Sequence, residues 1–334
     1  MAETAPPLVS VITPTKNRLA LLTQALDSVR NQTLAAWEHV VVDDGSDDGT
    51  AEMMAARSSD DPRVLYITRQ SEKAGANVCR NLAIRAASAP YVVMLDSDDV
   101  LDPGCLARRV EVMQRNGDLD FATFQTGIFT ETLGDSGRQL DDQLLGDDLT
   151  RFLYFEAPWI ITGPIWRRES LLRLGLFDEE LLSWQDIELH VRALTAGCRY
   201  IRFPQIDHHV RWQYEATKVS IEQRRSPRHL DGALEVIARL EAHARRGPGM
   251  NWVRQRALCS LYFFVAQCWV EKRDLGNALR AWRSVRTRNL APAGLHAAGA
   301  TLLTLARAGL PTEAIIRKWK GWARLRTLPE VVPA

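Results

Sequence analysis

No stretch of this 334-residue chain approaches the ~20 consecutive apolar residues that a membrane-spanning helix needs, although 46% of its residues are apolar and can furnish a sizeable core. The start, Met1-Ala-Glu-Thr-Ala-Pro-Pro7, lacks the basic and apolar regions of a secretory signal, so the expected compartment is the cytoplasm. Cysteine is sparse. The five residues Cys79, Cys105, Cys198, Cys259 and Cys268 show no CxxC spacing, which argues against a disulfide framework or a zinc cluster and leaves small apolar side chains. Glycine is missing from Thr13-Pro-Thr-Lys-Asn-Arg18 after the first strand, where a nucleotidyltransferase would want a glycine-rich, lysine-bearing phosphate loop.

Net charge is also small, +1 for the whole chain, but it is unevenly spread. Residues 1–221 carry 22 Lys/Arg and 33 Asp/Glu, a balance of −11, whereas residues 222–334 carry 20 and 8, a balance of +12. Opposite signs predict two modules, 1–221 and 222–334, the second facing an anionic partner. The basic half has no nucleic-acid reading motif and the other half is acidic, so nucleic acid is not expected as a partner.

Strands and helices alternate through the first module. Val9–Thr13 reads as a buried strand, Leu22, Leu26 and Val29 fall at helical spacing, and His39–Val42 is a strand ending in Asp43-Asp44-Gly45-Ser46. Val64–Ile67 is a third strand. Val78, Leu82 and Ala86 then stripe a helix whose other face shows Asn77, Arg80 and Asn81. The apolar run Tyr91–Leu95 ends in Asp96-Ser97-Asp98-Asp99, and Asp102-Pro103 reads as a helix cap with proline at the first helical position. A strand at Phe121–Phe129, a surface loop from Gly134 to Asp148 and a short strand at Gly163–Arg168 follow. The helix from Trp184 to Ala196 should bury Ile187, Val191 and Leu194, leaving Asp186 and His190 on another face; Gly197 caps it, and Cys198–Phe203 closes the sheet. Beyond residue 222 only helices are predicted. Ala257–Arg288 reads as one hairpin, its turn near Arg273–Gly276, similar to a single tetratricopeptide-like unit and too short for a solenoid.

Three acidic clusters carry candidate chemistry: Asp43-Asp44, Asp96-Ser-Asp98-Asp99, and Asp186 with Glu188. Aspartate, glycine and serine are also turn formers, so one such cluster alone would more often be a turn. Repetition favours a site, because carboxylates this close repel one another unless a cation neutralises them. Mg2+ or Mn2+ suits carboxylates shared with phosphate oxygens.

Taken in order, these segments resemble the inverting family 2 glycosyltransferases of GT-A fold, over roughly Ser10 to Ser220. Ser10-Val-Ile-Thr-Pro-Thr-Lys-Asn-Arg18 is similar to the family's opening strand and nucleotide loop, and Val41-Val-Asp-Asp-Gly-Ser-Asp-Asp-Gly-Thr50 to its base-binding segment. Gly75–Ile84 resembles its third motif and Leu95-Asp-Ser-Asp-Asp99 its DxD metal motif. The stretch from Gly163-Pro-Ile-Trp-Arg-Arg168 through Gly175-Leu-Phe-Asp178 to Gln185-Asp-Ile-Glu-Leu189 resembles the acceptor-side block.

The resemblance implies an α/β fold, a Rossmann-like, mainly parallel mixed sheet, with an all-α C-terminal module. It implies transfer of a sugar from a nucleotide-diphosphate donor, a UDP-sugar by family frequency, to a hydroxyl of a glycan or lipid-linked acceptor. Donor contacts fall on Thr13, Pro14, Thr15, Asn17 and Arg18, on Asp43 and Asp44, and on Asp96 and Ser97. Thr13 and Thr15 would lie near base and ribose, Asp44 would bond the base, and Asp96 would touch ribose or a metal-bound water. Asp98 would ligate the metal, and Asp186 would be the general base. Gln185 stands where many relatives have glutamate, but the aspartate remains. Arg80 and Asn81 either reach the nucleotide or form a solvated face, and Asp99 either shares the metal or caps the next segment. His209 is a candidate metal ligand, with a paired surface histidine beside His208 as the alternative, and Arg211 is a further candidate for the diphosphate. Trp159, Trp166 and Trp184 flank the acceptor block, either stacking on sugar or packing the core. The tail Ile315–Arg326 interleaves Trp and Leu with cations, either as a peripheral membrane contact or as a helix packed on its own module. A nucleotidyltransferase and a non-catalytic scaffold on the same fold are the competing readings.

Overall fold

A computed structural model describes residues 6–140, 147–212 and 225–310. Contacts divide the chain into two compact units. The first comprises Met1–Gln143, Trp159–Glu180 and Cys198–Tyr214; the second comprises Leu144–Pro158, Leu181–Gly197 and Glu215–Ala334. This division differs from a single cut after residue 221, because the helix that carries Asp186 groups with the C-terminal helices. Among the described residues, no helix is long and apolar enough to cross a membrane.

The first unit is built on one mixed sheet. Strands β1 (Val9–Thr15), β2 (Trp37–Asp43), β3 (Val64–Thr68) and β4 (Tyr91–Met94) pair in parallel in the order β3-β2-β1-β4. The sheet continues through β8 (Pro164–Arg167), β6 (Phe121–Phe129), β9 (Tyr200–Arg211) and the two-residue β5 (Val100–Leu101), with β7 (Arg138–Leu140) hydrogen-bonded to β6. Helices on both faces explain why β1, β2 and β4 read as continuous valine and isoleucine runs rather than alternating ones. On one face Ala25 and Val29 of α1 (Leu19–Arg30) join Cys105, Leu106 and Val110 of α4 (Cys105–Arg115) over Val9, Val11 and Val93. Leu22 and Leu26 of α1 meet Val41 and Met54, the latter from α2 (Thr50–Asp60). Four parallel strands therefore send their carboxyl ends to one edge, the place where an open α/β sheet binds ligands.

Three expectations change here. β9 runs to Arg211 instead of ending at Phe203, because register shifts opposite Gln125 absorb Pro204, which has no N–H for the ladder. His208 and His209 therefore lie within the strand, facing Leu101 and Val100 of β5. Asp102 does not cap α4, which starts at Cys105 after Gly104; its carboxylate accepts a 2.9 Å hydrogen bond from His209 Nε2. Finally, α3 (Ala76–Ala86) buries Asn77, Arg80 and Asn81 while Ala86 is exposed. The polar face is not solvated because it clasps the segment after α6 (Arg168–Leu174): Asn77 Nδ2 donates to the Asp178 carbonyl at 2.8 Å, and Asn81 exchanges two 2.9 Å bonds with the Phe177 backbone.

The second unit is helical: α5 (Asp148–Leu153), α7 (Gln185–Thr195), α8 (Pro227–Arg246), α9 (Trp252–Glu271), α10 (Leu275–Thr287) and α11 (Ala293–Arg307). α9 and α10 form the expected hairpin, with Asp274 capping Asn277 N at 2.9 Å. Buried Trp282 donates from Nε1 to the His296 carbonyl, and a Cβ at Gly299 would fall 2.4 Å from its ring, so α11 lies on this indole only because residue 299 is glycine. In α7, His190 is buried together with Ile187 and Val191 and does not share an accessible face with half-buried Asp186. Glu188, also buried, accepts 2.9 Å bonds from Arg192 and from His243 of α8. The basic tail Ile315–Arg326 lies outside the described residues.

Candidate active site

The buried run of β4 delivers Asp96, Ser97, Asp98 and Asp99 to the ligand edge of the first unit, and a turn from Asp99 N to the Asp96 carbonyl (3.0 Å) folds them together. One carboxylate oxygen from each of Asp96, Asp98 and Asp99 lies within 4.8 Å of the other two. Arg80 donates to Asp96 at 2.6 Å, and Arg18 forms an ion pair with Asp98. Asp99 is only 6% exposed and receives Thr162 Oγ1 at 3.2 Å and Arg211 N at 3.3 Å. Burial, and then the charges of Asp98 and Asp96, push its carboxyl well above the usual carboxylate range. A hard divalent cation fits this set, since all three donors are oxygens and their mutual repulsion is what a cation would relieve.

At the ends of β1 and β2, Thr13 is fully buried with Oγ1 2.9 Å from His39 Nε2, and burial drives His39 down to about 3, so the ring is neutral. Pro14 is half-buried, and Thr15 Oγ1 is buried with no hydrogen-bond partner among the described residues. Exposed Asn17, at φ 51°, bridges the neighbouring loop: its N–H donates to Ser46 Oγ at 2.8 Å, and its Oδ1 accepts from Asp47 N at 2.9 Å. Asp43 is buried and holds that loop by accepting from Ser46 N, Ser46 Oγ and Tyr66 OH. Asp44 accepts from Arg69 Nε at 2.5 Å and Gly75 N at 3.1 Å, with Lys16 Nζ 3.9 Å away. Ser97 is buried in the acidic loop.

Other candidates sit elsewhere. His209 lies outside the trio of carboxylates: Nε2 is engaged by Asp102, and Nδ1 lies against Gly127, where a Cβ would come within 2.3 Å. His208 is fully buried beside Arg109 and Thr126, and burial lowers it to about 4. Arg211 packs over the Phe129 ring and donates to the Thr130 carbonyl and Gln24. Trp166 is fully buried against Phe121, ring centroids 4.2 Å apart, and so is closed to a sugar; Trp159 is likewise core. In the second unit, half-buried Trp184 meets the Phe155 ring edge-on just before Gln185 and Asp186 in the first turn of α7. Arg69 and the pair Arg109–Asp207, joined by 2.7 and 2.9 Å bonds, were not foreseen. Arg69's place just beyond β3 was the available signal; Arg109 had none.

Residues 10–174 match the family model described as Glycosyl transferase family 2. Over that span, just under half of its length, the chain is a family 2 glycosyltransferase. It is 40% identical over 101 residues to the GalNAc(5)-diNAcBac-PP-undecaprenol beta-1,3-glucosyltransferase of Campylobacter jejuni, covering 30% of this chain and 33% of that protein. Identity is 36% over 109 residues, 33% of this chain and 42% of the relative, to the UDP-Glc:alpha-D-GlcNAc-diphosphoundecaprenol beta-1,3-glucosyltransferase WfgD of Escherichia coli. The chain thus spans under half the length of these curated relatives. Among solved structures, S. aureus TarS 1-349 in complex with UDP-GlcNAc aligns over 90% of this chain and 87% of its own, at TM-score 0.63 and 18% identity. The mannosyltransferase PcManGT of Pyrobaculum calidifontis, in complex with GDP-Man and Mn2+, aligns over 96% and 84%, at TM-score 0.53 and 20% identity. These likenesses establish a GT-A-type fold for this family 2 member.

Proposed function

We propose that this family 2 protein transfers a sugar, with inversion and with the aid of a divalent cation, from a uridine diphosphate donor to a hydroxyl of a lipid-linked glycan. The observation that carries the reading is the trio Asp96, Asp98 and Asp99 at the end of β4, one carboxylate buried and all three within 4.8 Å, flanked by Arg18 and Arg80. The named acceptors of two relatives, both carried on undecaprenol diphosphate, support the acceptor class, and the UDP-GlcNAc bound to TarS supports the donor class.

Asp98, with Asp96 and Asp99, would hold Mn2+ or Mg2+, which when bound supplies charge neutralisation for the diphosphate leaving group. Asp44, held by Arg69 and Gly75 N, lies at the end of β2 to receive the base. Thr15 Oγ1, buried and without a partner among the described residues, offers a hydrogen bond for the nucleoside. Arg18 and Arg80 are cations that can pass from the carboxylates to the donor phosphates. Asp186 is assigned as general base: it takes the proton of the acceptor hydroxyl as that oxygen bonds to the anomeric carbon and the bond from that carbon to the diphosphate breaks on the opposite face.

A thermal-shift series tests donor and cation together, since a ligand that binds only the folded state raises its melting temperature. UDP-sugars with Mn2+ should raise it more than GDP- or dTDP-sugars do. No shift with any nucleotide would overturn the reading.

A further inference from the structure

The ends of β1, β2 and β3 place three polar side chains in a row. The Thr15 carbonyl accepts from Asp44 N at 2.9 Å and the Asp43 carbonyl from Arg69 N at 3.0 Å, so Thr15, Asp44 and Arg69 succeed one another at the spacing of adjacent strands. Thr15 Oγ1 has no hydrogen-bond partner among the described residues, and Asp44 is only 9% exposed. Buried polar groups are seldom left open in this way. The row marks a place where the polar edge of a ligand completes the bonding.

The two oxygens of Asp44 are unequally occupied. Oδ1 accepts from Arg69 Nε at 2.5 Å and from Gly75 N at 3.2 Å, with Cys79 Sγ 3.8 Å away. Those donors take up the lone-pair directions of that oxygen. Oδ2 has only a share of the Gly75 N–H, at 3.1 Å, and Lys16 Nζ stands 3.9 Å off, beyond hydrogen-bond reach. Arg69 is itself held in place, since its side chain is 15% exposed and its Nη1 donates to the Ser71 carbonyl.

We infer that Arg69 sets the base specificity of the donor site: by occupying Oδ1 it makes Asp44 a one-oxygen acceptor, which suits the single ring N–H of uracil and refuses the paired N1–H and 2-amino donors of guanine. Guanine would leave one donor facing a filled oxygen, and a buried donor left unsatisfied costs more than a made bond gains. Lys16, on the Oδ2 side, supplies a donor for a carbonyl that flanks the ring N–H of uracil. Cytosine brings a ring acceptor to the carboxylate and is rejected by it. The inference rests on the proposed assignment of Asp44 to the donor's base and names what selects that base.

Calorimetric titration of the full chain, in Mn2+, with free nucleotides tests it. The wild type should bind UDP about tenfold tighter than N3-methyl-UDP, which lacks the donor. It should bind GDP and inosine diphosphate weakly and alike, since inosine differs from guanosine only by the missing 2-amino group. Arg69→Met frees Oδ1 and should bind GDP about tenfold tighter than inosine diphosphate, a gain that general loosening of the site would not produce. The wild-type comparisons decide alone if that variant does not fold. Wild-type preference for GDP over inosine diphosphate, equal binding of UDP and N3-methyl-UDP, or equal binding of GDP and inosine diphosphate by folded Arg69→Met would overturn the inference and leave a nucleotide donor standing. Failure of the wild type to bind any nucleotide would overturn the donor reading and this inference with it.

Discussion

Thr162 Oγ1 donates to Asp99 Oδ2 at 3.2 Å, and the carbonyl of the same threonine accepts from the fully buried Arg109 at 2.8 Å. Arg109 is in turn locked to Asp207 of β9 by two bonds, and Arg211 of that strand gives its N–H to the other oxygen of Asp99. The third carboxylate of the acidic trio is therefore held by a network rooted in the sheet. Replacing Thr162 with valine keeps the carbonyl and the shape but removes the donor. We expect a stability loss of about 1 kcal/mol and a Mn2+ affinity lower by roughly 10-fold or more, the usual effect of losing a partner of a ligating carboxylate. Calorimetric titration with Mn2+ checks it; unchanged affinity would show that Asp99 is structural only.

Gly127 and His209 form a second tight pair, because a Cβ at 127 would lie 2.3 Å from Nδ1. Gly127→Ala should cost about 1–3 kcal/mol through overpacking. Combining it with His209→Ala should restore most of that loss, a coupling that a double-mutant cycle in urea reads directly.

Acid sensitivity follows from histidines kept neutral by burial. His39 falls to about 3 and His208 to about 4 in the folded state, against about 6.5 in an unfolded chain. Between those values the unfolded chain binds more protons, so stability should decline as pH falls from 6.5 towards 4, with up to ~1.4 kcal/mol per pH unit from each histidine. Asp207 acts at lower pH. Burial pushes its carboxyl up, but Arg109 and His208 outweigh that and hold it well below the usual range. Its contribution is present above the unfolded value of about 3.9 and is lost as pH falls through the folded one. Urea midpoints across pH should fall through pH 5, and His39→Gln should flatten the upper part of that slope.

Much of this was legible in the chain. Phe121–Phe129 is a strand over those same residues, and the acids at Asp43 and Asp96 stand where apolar runs stop, because a buried strand must end where charge begins. What was hidden depends on partners distant in sequence. Asn77, Arg80 and Asn81 look like a wet face until the segment around Phe177, about a hundred residues on, covers them. Pro204 looks like the end of a strand until the register shift opposite Gln125 carries β9 on to His209. Trp166 lies in a motif similar to an acceptor block, yet its ring is inside the sheet's core; sequence order alone could not tell a sugar platform from packing against Phe121.

Whether Asp186 and a cation act together in sugar transfer is read from turnover of a UDP-sugar with a polyprenyl-diphosphate-linked glycan. Chelation should abolish product, and Mn2+ should restore it. Asp186→Asn should lose about 10²–10⁴-fold in kcat, the range typical of a general base, while its thermal shift with UDP and Mn2+ stays that of the wild type. Turnover in Asp186→Asn equal to the wild type, or product formation indifferent to chelator, would contradict it.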